Sequence, residues 1–182
     1  MVEKLKAEHG ADVEWRPFYL RPDTPEEGIE LPAHVRARYA GTQERLRQMA
    51  RANGLEMVTP GRIPNTRLAH EATEFARKHG RGEAFHRVVF RQFYGEGKDI
   101  SRWDVLQAAA KEVGLDPDAM QREVEEGRCR AEMEAQIAEA HTLGITGVPT
   151  YILNDRYAIV GAQPYEVFHQ VMAQLAAETR ER

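Results

Sequence analysis

Gly144-Ile-Thr-Gly-Val-Pro-Thr150 joins a helix stop to a β run through a proline that follows the β-branched Val148. About 5–6% of X-Pro bonds in folded proteins are cis, so an ordinary trans proline at a strand start stays open as a reading. In the cis alternative the preceding carbonyl and amide turn outward. The Val148 backbone is then offered to an extended peptide or thiol substrate, as in strand addition. Two β runs follow, Thr150-Tyr-Ile-Leu153 and Tyr157-Ala-Ile-Val160, separated by Asn154-Asp155-Arg156. Asn and Asp tolerate the positive φ of tight turns, so this spacing predicts a β-hairpin. A last helix is expected from Pro164 through Val167, Phe168, Val171, Met172 and Leu175, fraying over 178–182.

Upstream the pattern is helical from about Ala33 to Leu143. Leu46, Met49, Ala50 and Asn53 recur at three- and four-residue steps before Gly54; Leu68, Ala72, Phe75, Ala76 and His79 do so before Gly80. Phe85, Val88, Val89 and Phe93 predict a third helix ending near Gly95. Ser101 is expected to N-cap a fourth, with Trp103, Leu106, Ala110 and Val113 on its apolar face. Asp116-Pro117 opens a fifth, with proline at the favoured first position. A sixth, near 128–143, is expected to turn Met133, Ile137, Ala140 and His141 inward and to stop at Gly144. Before this block, residues 21–32 hold three prolines and read as a loop. Residues 12–20 read as a strand with Val13 and Trp15 on one side, and Val2, Leu5 and His9 share a face of a short helix stopped by Gly10.

The chain has 182 residues, 42% hydrophobic and 30% charged, which suits one domain or one domain with a large insertion. No apolar run approaches the roughly 20 residues that span a bilayer, and Met1-Val-Glu-Lys-Leu-Lys6 lacks the apolar stretch of a secretory signal. A cytoplasmic protein without membrane contact is expected. Twenty-five basic against 29 acidic residues leave a net charge of −4, which argues against general nucleic-acid binding. The single cysteine, Cys129, cannot form an intrachain disulfide or a Cys-x-x-Cys pair.

The tail from Gly147 to Pro164, Gly-Val-Pro-Thr-Tyr-Ile-Leu-Asn-Asp-Arg-Tyr-Ala-Ile-Val-Gly-Ala-Gln-Pro, resembles the C-terminal half of the DsbA-like thioredoxin family, and specifically its FrnE branch. Val13-Glu-Trp-Arg-Pro-Phe-Tyr-Leu-Arg-Pro22 is similar to that branch's second strand. Ile63-Pro-Asn-Thr-Arg-Leu-Ala-His70 is similar to its helical-domain motif near the active site. The segments cover nearly the whole chain in the expected order. The resemblance implies an α/β, thioredoxin-like fold from residues 1–32 and 144–182, carrying an all-helical insertion over 33–143.

In that family a first strand leads into a Cys-x-x-Cys motif at the start of the first helix, where exposed amides favour the thiolate, and the cis-proline loop lies beside it. By this resemblance Met1 falls inside that helix, and the first strand and both cysteines are absent. The missing strand would sit between 12–20 and 150–153, so about five residues on each edge lose ladder partners. At roughly 1–3 kcal/mol per buried unsatisfied group, that loss rivals a domain's whole stability of about 5–15 kcal/mol. The expectation is a truncated or misassigned start, with the slot filled by a rearranged sheet, water or another chain.

Other constellations carry less. Arg128 and Arg130 flank Cys129, yet no helix N-terminal motif is clear there, and a plain, partly buried cysteine is the better reading. Asn65-Thr66 reads as a cap for the helix near Arg67, and by resemblance also faces the thiol site. His70-Glu71-Ala-Thr-Glu74 starts like a zinc-protease helix but has Glu where the second His belongs. The remaining histidines show no ligand spacing. Phe85, Phe90, Phe93, Tyr94 and Trp103 read as core packing rather than a base-stacking platform. No phosphate loop or Ser/His/Asp signature is present.

The reading is therefore a DsbA/FrnE-like thiol–disulfide oxidoreductase family protein, inactive in this form for want of its dithiol. Thr146, Gly147, Val148 and Pro149 present backbone to substrate, Asn65 and Phe18 line the groove, and Ala162 and Gln163 close its far end; no residue is assigned a catalytic role. No metal or cofactor is expected, with glutathione left open. The partner is a thiol or disulfide substrate, peptide or small molecule, and homo-oligomerisation stays open. The alternatives are a glutathione-dependent transferase or isomerase of the kappa or hydroxychromene-carboxylate type, and a non-catalytic binding or assembly protein.

Overall fold

The computed structural model describes residues 1–180 and divides into two compact units, Met1–Leu20 with the chain from Gln136 onward, and Arg21–Ala135. Among the described residues no helix is long and apolar enough to cross a membrane.

In the first unit, α1 (Val2–His9) ends where Gly10 takes φ 63° and returns its N–H to the Lys6 carbonyl at 3.0 Å. Strands β3 (Thr150–Leu153) and β4 (Tyr157–Val160) form an antiparallel hairpin, with Thr150 opposite Val160 and Leu153 opposite Tyr157. Asn154 and Asp155 both sit at φ 53° in its turn, a region that short polar side chains tolerate. Side chains alternate across a strand, so Tyr151, Leu153 and Ile159 share one face. That face packs on Leu5 of α1 and Phe168 of α8 (Tyr165–Arg180), Tyr151 meeting Phe168 edge-on at 4.8 Å. Leaving Ile152 and Val160 exposed, the hairpin buries one side only.

The strand expected over 12–20 is absent. Its residues favour extended backbone, but a strand exists through ladder hydrogen bonds, and this segment finds no ladder among the described residues. Side chains hold it instead: Phe18 meets His141 edge-on at 5.8 Å, and Arg16 pairs with Glu139 at 2.6 Å. His141 is accordingly exposed rather than turned inward, while Met133 and Ile137 are buried as expected. The fraying expected over 178–182 does not begin at Glu178, whose carboxylate accepts from the Tyr157 hydroxyl at 2.6 Å within α8; residues 181–182 lie outside the described residues.

The second unit is helical apart from a two-residue ladder of β1 (Ile29–Glu30), inside the segment read as loop, and β2 (Arg62–Ile63), inside the stretch expected to be helical. Between them runs α2 (Ala33–Ala52). Next come α3 (Arg67–Lys78), α4 (Gly82–Phe90) with a π turn over Arg91–Gly95, α5 (Trp103–Glu112), α6 (Pro117–Glu125) and the start of α7 (Arg130–Thr142). Ala72, Phe75, Phe85, Leu106 and Met120 form the centre of one apolar core. Phe93 and Trp103 pack against it, but Phe90 and Tyr94 are exposed, correcting their place among the core aromatics. The apolar stripe of α2 is also exposed, and this helix buries no residue.

Asp116 caps α6 by accepting from the N–H groups of Asp118 and Ala119 at 2.9 and 3.1 Å, with Pro117 in the first turn. Ser101 does not cap α5. Its hydroxyl and N–H are both taken by Asp99 Oδ1, at 2.6 and 3.0 Å, which moves the cap position to Arg102. The division between units falls at 20/21 and 135/136 rather than 32/33 and 143/144. Residues 21–28 go with the helices because Thr24 and Glu26 are bonded to Asn65 and Arg67. The last turns of α7 go with the hairpin unit, where Glu139 and His141 meet Arg16 and Phe18.

Candidate functional site

α7 delivers the chain to the 144–149 loop through a closed cap. Gly144 at φ 73° bonds back to the His141 carbonyl at 2.9 Å, and the Ile145 N–H reaches the Ala140 carbonyl at 3.0 Å. Left-handed glycine is what lets a helix stop this abruptly. Beyond it Thr146 is exposed and Gly147 half-buried.

The loop is then pinned at two carbonyls. The Thr150 hydroxyl donates to the Gly147 carbonyl at 2.8 Å, and the Gly161 N–H donates to the Pro149 carbonyl at 2.8 Å. The Val148–Pro149 peptide bond is cis. Between these two anchors Val148 is 54% exposed and makes no hydrogen bond with any described residue. Its N–H and carbonyl stay unbonded in the bend that precedes β3, whose second edge carries no ladder among the described residues. An unpaired donor and acceptor beside an open strand edge are what a second, extended chain needs in order to bind.

The other expected site residues divide between the two units. Ala162 and Gln163 are exposed past the end of β4. The Gln163 amide bonds the Val160 carbonyl at 2.9 Å, and its N–H the Gly161 carbonyl at 3.0 Å, so it stabilises the turn that anchors Pro149. Phe18 lies against His141 in the last turn of α7, at the base of the loop. Asn65 belongs to the helical unit, and both ends of its amide are occupied: Oδ1 accepts from the Arg67 N–H at 2.9 Å, and Nδ2 donates to the Thr24 carbonyl at 2.7 Å. It caps α3 from one residue further out than Thr66, whose side chain makes no cap bond. Thr150 and Gly161 are the anchors that sequence reasoning missed. A hydroxyl three residues after Gly147 and a glycine closing β4 are the signals that could have found them.

Cys129 sits immediately before the first residue of α7, a helix N-terminus that was not clear from sequence. That position normally favours a thiolate, but here burial wins. The side chain is fully enclosed in the helical core, and desolvation pushes the thiol up to about 11 against a weaker opposing pull from Lys78. Glu71 and Glu74, part of the zinc-protease-like string, are both buried and engaged by arginines. Glu71 Oε1 accepts from Arg130 and Arg67 at 2.9 and 3.2 Å, and Glu74 accepts from Arg77. The Arg130 bond ties α3 to α7, the Arg67 and Arg77 bonds lie within α3, and Glu71 Oε2 is buried with no hydrogen-bond partner.

The chain as a whole is similar to known proteins. A family model described as a DSBA-like thioredoxin domain matches residues 1–173. An uncharacterized Bacillus subtilis protein, YwbO, is 31% identical over 165 residues, which are 89% of this chain and 81% of YwbO. The crystal structure of a probable DsbA oxidoreductase, SCO1869 of Streptomyces coelicolor, superposes with a TM-score of 0.86 at 27% identity, covering 97% of this chain and 82% of that one. A 2-hydroxychromene-2-carboxylate isomerase superposes with a TM-score of 0.79 at 18% identity, covering 99% and 89% of the two chains, a likeness of fold.

Proposed function

The chain belongs to the DSBA-like thioredoxin domain family, and from that premise we propose that these 182 residues carry the substrate-presenting part of a thiol–disulfide oxidoreductase and no dithiol of their own. Exchange needs a thiolate to attack a substrate sulfur and a second thiol to resolve the mixed disulfide. The sequence offers one cysteine, enclosed and held near a pKa of 11, so that roughly one thiol in ten thousand is ionised at neutral pH. Neither role is open to it.

What the chain contributes is a place for the substrate. Thr146 to Pro149 present the backbone, Val148 supplying a donor and an acceptor to an extended peptide beside the sulfur. Phe18 and the Ala162–Gln163 turn border the loop. The observation that carries this reading is the exposed, unbonded Val148 between two anchored carbonyls. Glutathione is itself an extended thiol peptide, and the isomerase-like fold makes it the second probe to try.

The test combines turnover with binding. The polypeptide should give no insulin reduction with dithiothreitol above the uncatalysed rate. Titration with an oxidised cystine-containing peptide should shift the amide resonances of 146–148 and slow exchange of the Val148 amide. Turnover above background would sink the claim of a missing dithiol; unmoved resonances at 146–148 would sink the substrate-presenting role. Shifts with glutathione alone would move the reading to glutathione-dependent chemistry.

A further inference from the structure

Helix α2 carries a feature that thiol chemistry does not use. Val35, Tyr39, Thr42, Leu46, Met49 and Asn53 follow one another at alternating steps of four and three residues, the spacing that lines one seam of a helix facing another helix. Yet Tyr39, Leu46 and Met49 are 51%, 43% and 61% exposed, and no residue of α2 is buried. Only Val35 of the stripe is half-buried, and a helix of 20 residues whose apolar stripe is otherwise open gains stability when the stripe finds a partner.

The charges around the stripe say what kind of partner. α2 holds five arginines and one acid, Glu44. Glu44 lies on the far side from the stripe, where Arg47 pairs with it at 3.2 Å. Arg36, Arg38 and Arg45 border the stripe, and they make no ion pair with any described residue. In heptad terms these three occupy the flanking positions that choose partners by charge. A second copy of α2 would set arginine against arginine across an antiparallel seam and supply no acid in a parallel one. A membrane surface would want an apolar face at least about 100° wide, whereas this one is a narrow seam interrupted by Thr42 and Asn53.

We propose that the exposed face of α2 docks an amphipathic helix of another protein whose apolar seam is flanked by glutamate or aspartate. The seam supplies burial, and the three bordering arginines supply orientation and rejection of basic partners.

The probe is a fluorescent heptad peptide with leucine at the seam positions and glutamate at both flanks, whose own charges keep it from self-pairing. Titrated with the full chain, it should bind saturably, more tightly at low salt, and about tenfold or more weakly to Leu46→Gln/Met49→Gln and to Arg38→Glu/Arg45→Glu. Because α2 buries no residue, both variants should keep the wild-type melting curve. The proposal is overturned if the acidic peptide does not bind, if a lysine-flanked counterpart binds equally, or if the variants bind like wild type. Co-sedimentation with phosphatidylglycerol vesicles that Leu46→Gln/Met49→Gln abolishes would replace the helix partner with a lipid surface. A dimer in sedimentation velocity that the same variant abolishes would replace it with a second copy.

Discussion

The Thr150 hydroxyl donates to the Gly147 carbonyl at 2.8 Å, so the first residue of β3 closes the loop that leads into it. Thr150→Val keeps the shape and the β preference and removes only this bond. The Gly147 carbonyl is half-buried and would exchange its partner for partial hydration. A loss of about 1 kcal/mol is expected, read as a fall of roughly 2–4 °C in melting temperature. Amide exchange at Gly147 and Val148 should accelerate by more than the global change. Equal acceleration along all of β3 would show that the bond does not serve the loop in particular.

Gly28 is a glycine for two reasons that can be separated. It sits at φ 75°, and a Cβ there would lie 2.6 Å from the Ile63 carbonyl oxygen across the β1–β2 ladder. Gly114, in the same unit, has the same φ of 75° and open space around its missing Cβ. Gly114→Ala should therefore cost about 1 kcal/mol, the backbone penalty alone. Gly28→Ala should cost about 2–4 kcal/mol, since a rigid backbone atom must move as well. Urea unfolding of both variants measures the difference, and equal costs would mean that the β1–β2 contact yields freely.

What could be read from sequence follows the range of the interaction concerned. The 144–164 segment was legible because its determinants are local: a left-handed glycine at 144, turn residues at 154 and 155, and alternation in the strands. Residues 12–20 were misread because a strand is decided by its ladder partner, which lies elsewhere in the chain or in another one. Helix α2 was legible as amphipathic, yet periodicity marks an apolar face without saying what covers it. Asn65 shows a third limit. Its type and place before α3 announced a cap, but the bond to Thr24, 41 residues away, could be seen only in the fold.

Acid should weaken the helical unit before its carboxylates titrate. Burial lowers His70 of α3 from 6.5 to about 4, with the His86 charge adding to it; burial likewise lowers His86 of α4 to about 4, against an opposing pull from Glu83. Between about pH 6.5 and 4 the unfolded chain binds protons at both sites that the folded chain refuses. Stability is therefore fully present above about 6.5 and falls as pH drops towards 4. Melting followed by circular dichroism should show a lower midpoint at pH 5 than at pH 7, and His70→Gln/His86→Gln should flatten that dependence. A double variant with the wild-type slope would assign the acid sensitivity to other groups.

Cys129 tests the chemical side of the assignment without touching the loop. Its thiol is enclosed with Ala72, Phe75 and Leu106 in the helical core and held at about 11, so it lacks both access and charge. Ellman's reagent should react with the native protein at least about a hundredfold more slowly than with protein in urea, where the thiol returns to about 8.5. Cys129→Ala should cost about 1 kcal/mol by opening a small void. It should leave the peptide-induced shifts at 146–148 unchanged. A native thiol that reacted as fast as the unfolded one would place an active nucleophile in the helical unit, and the substrate-presenting reading would have to give way to a single-thiol mechanism.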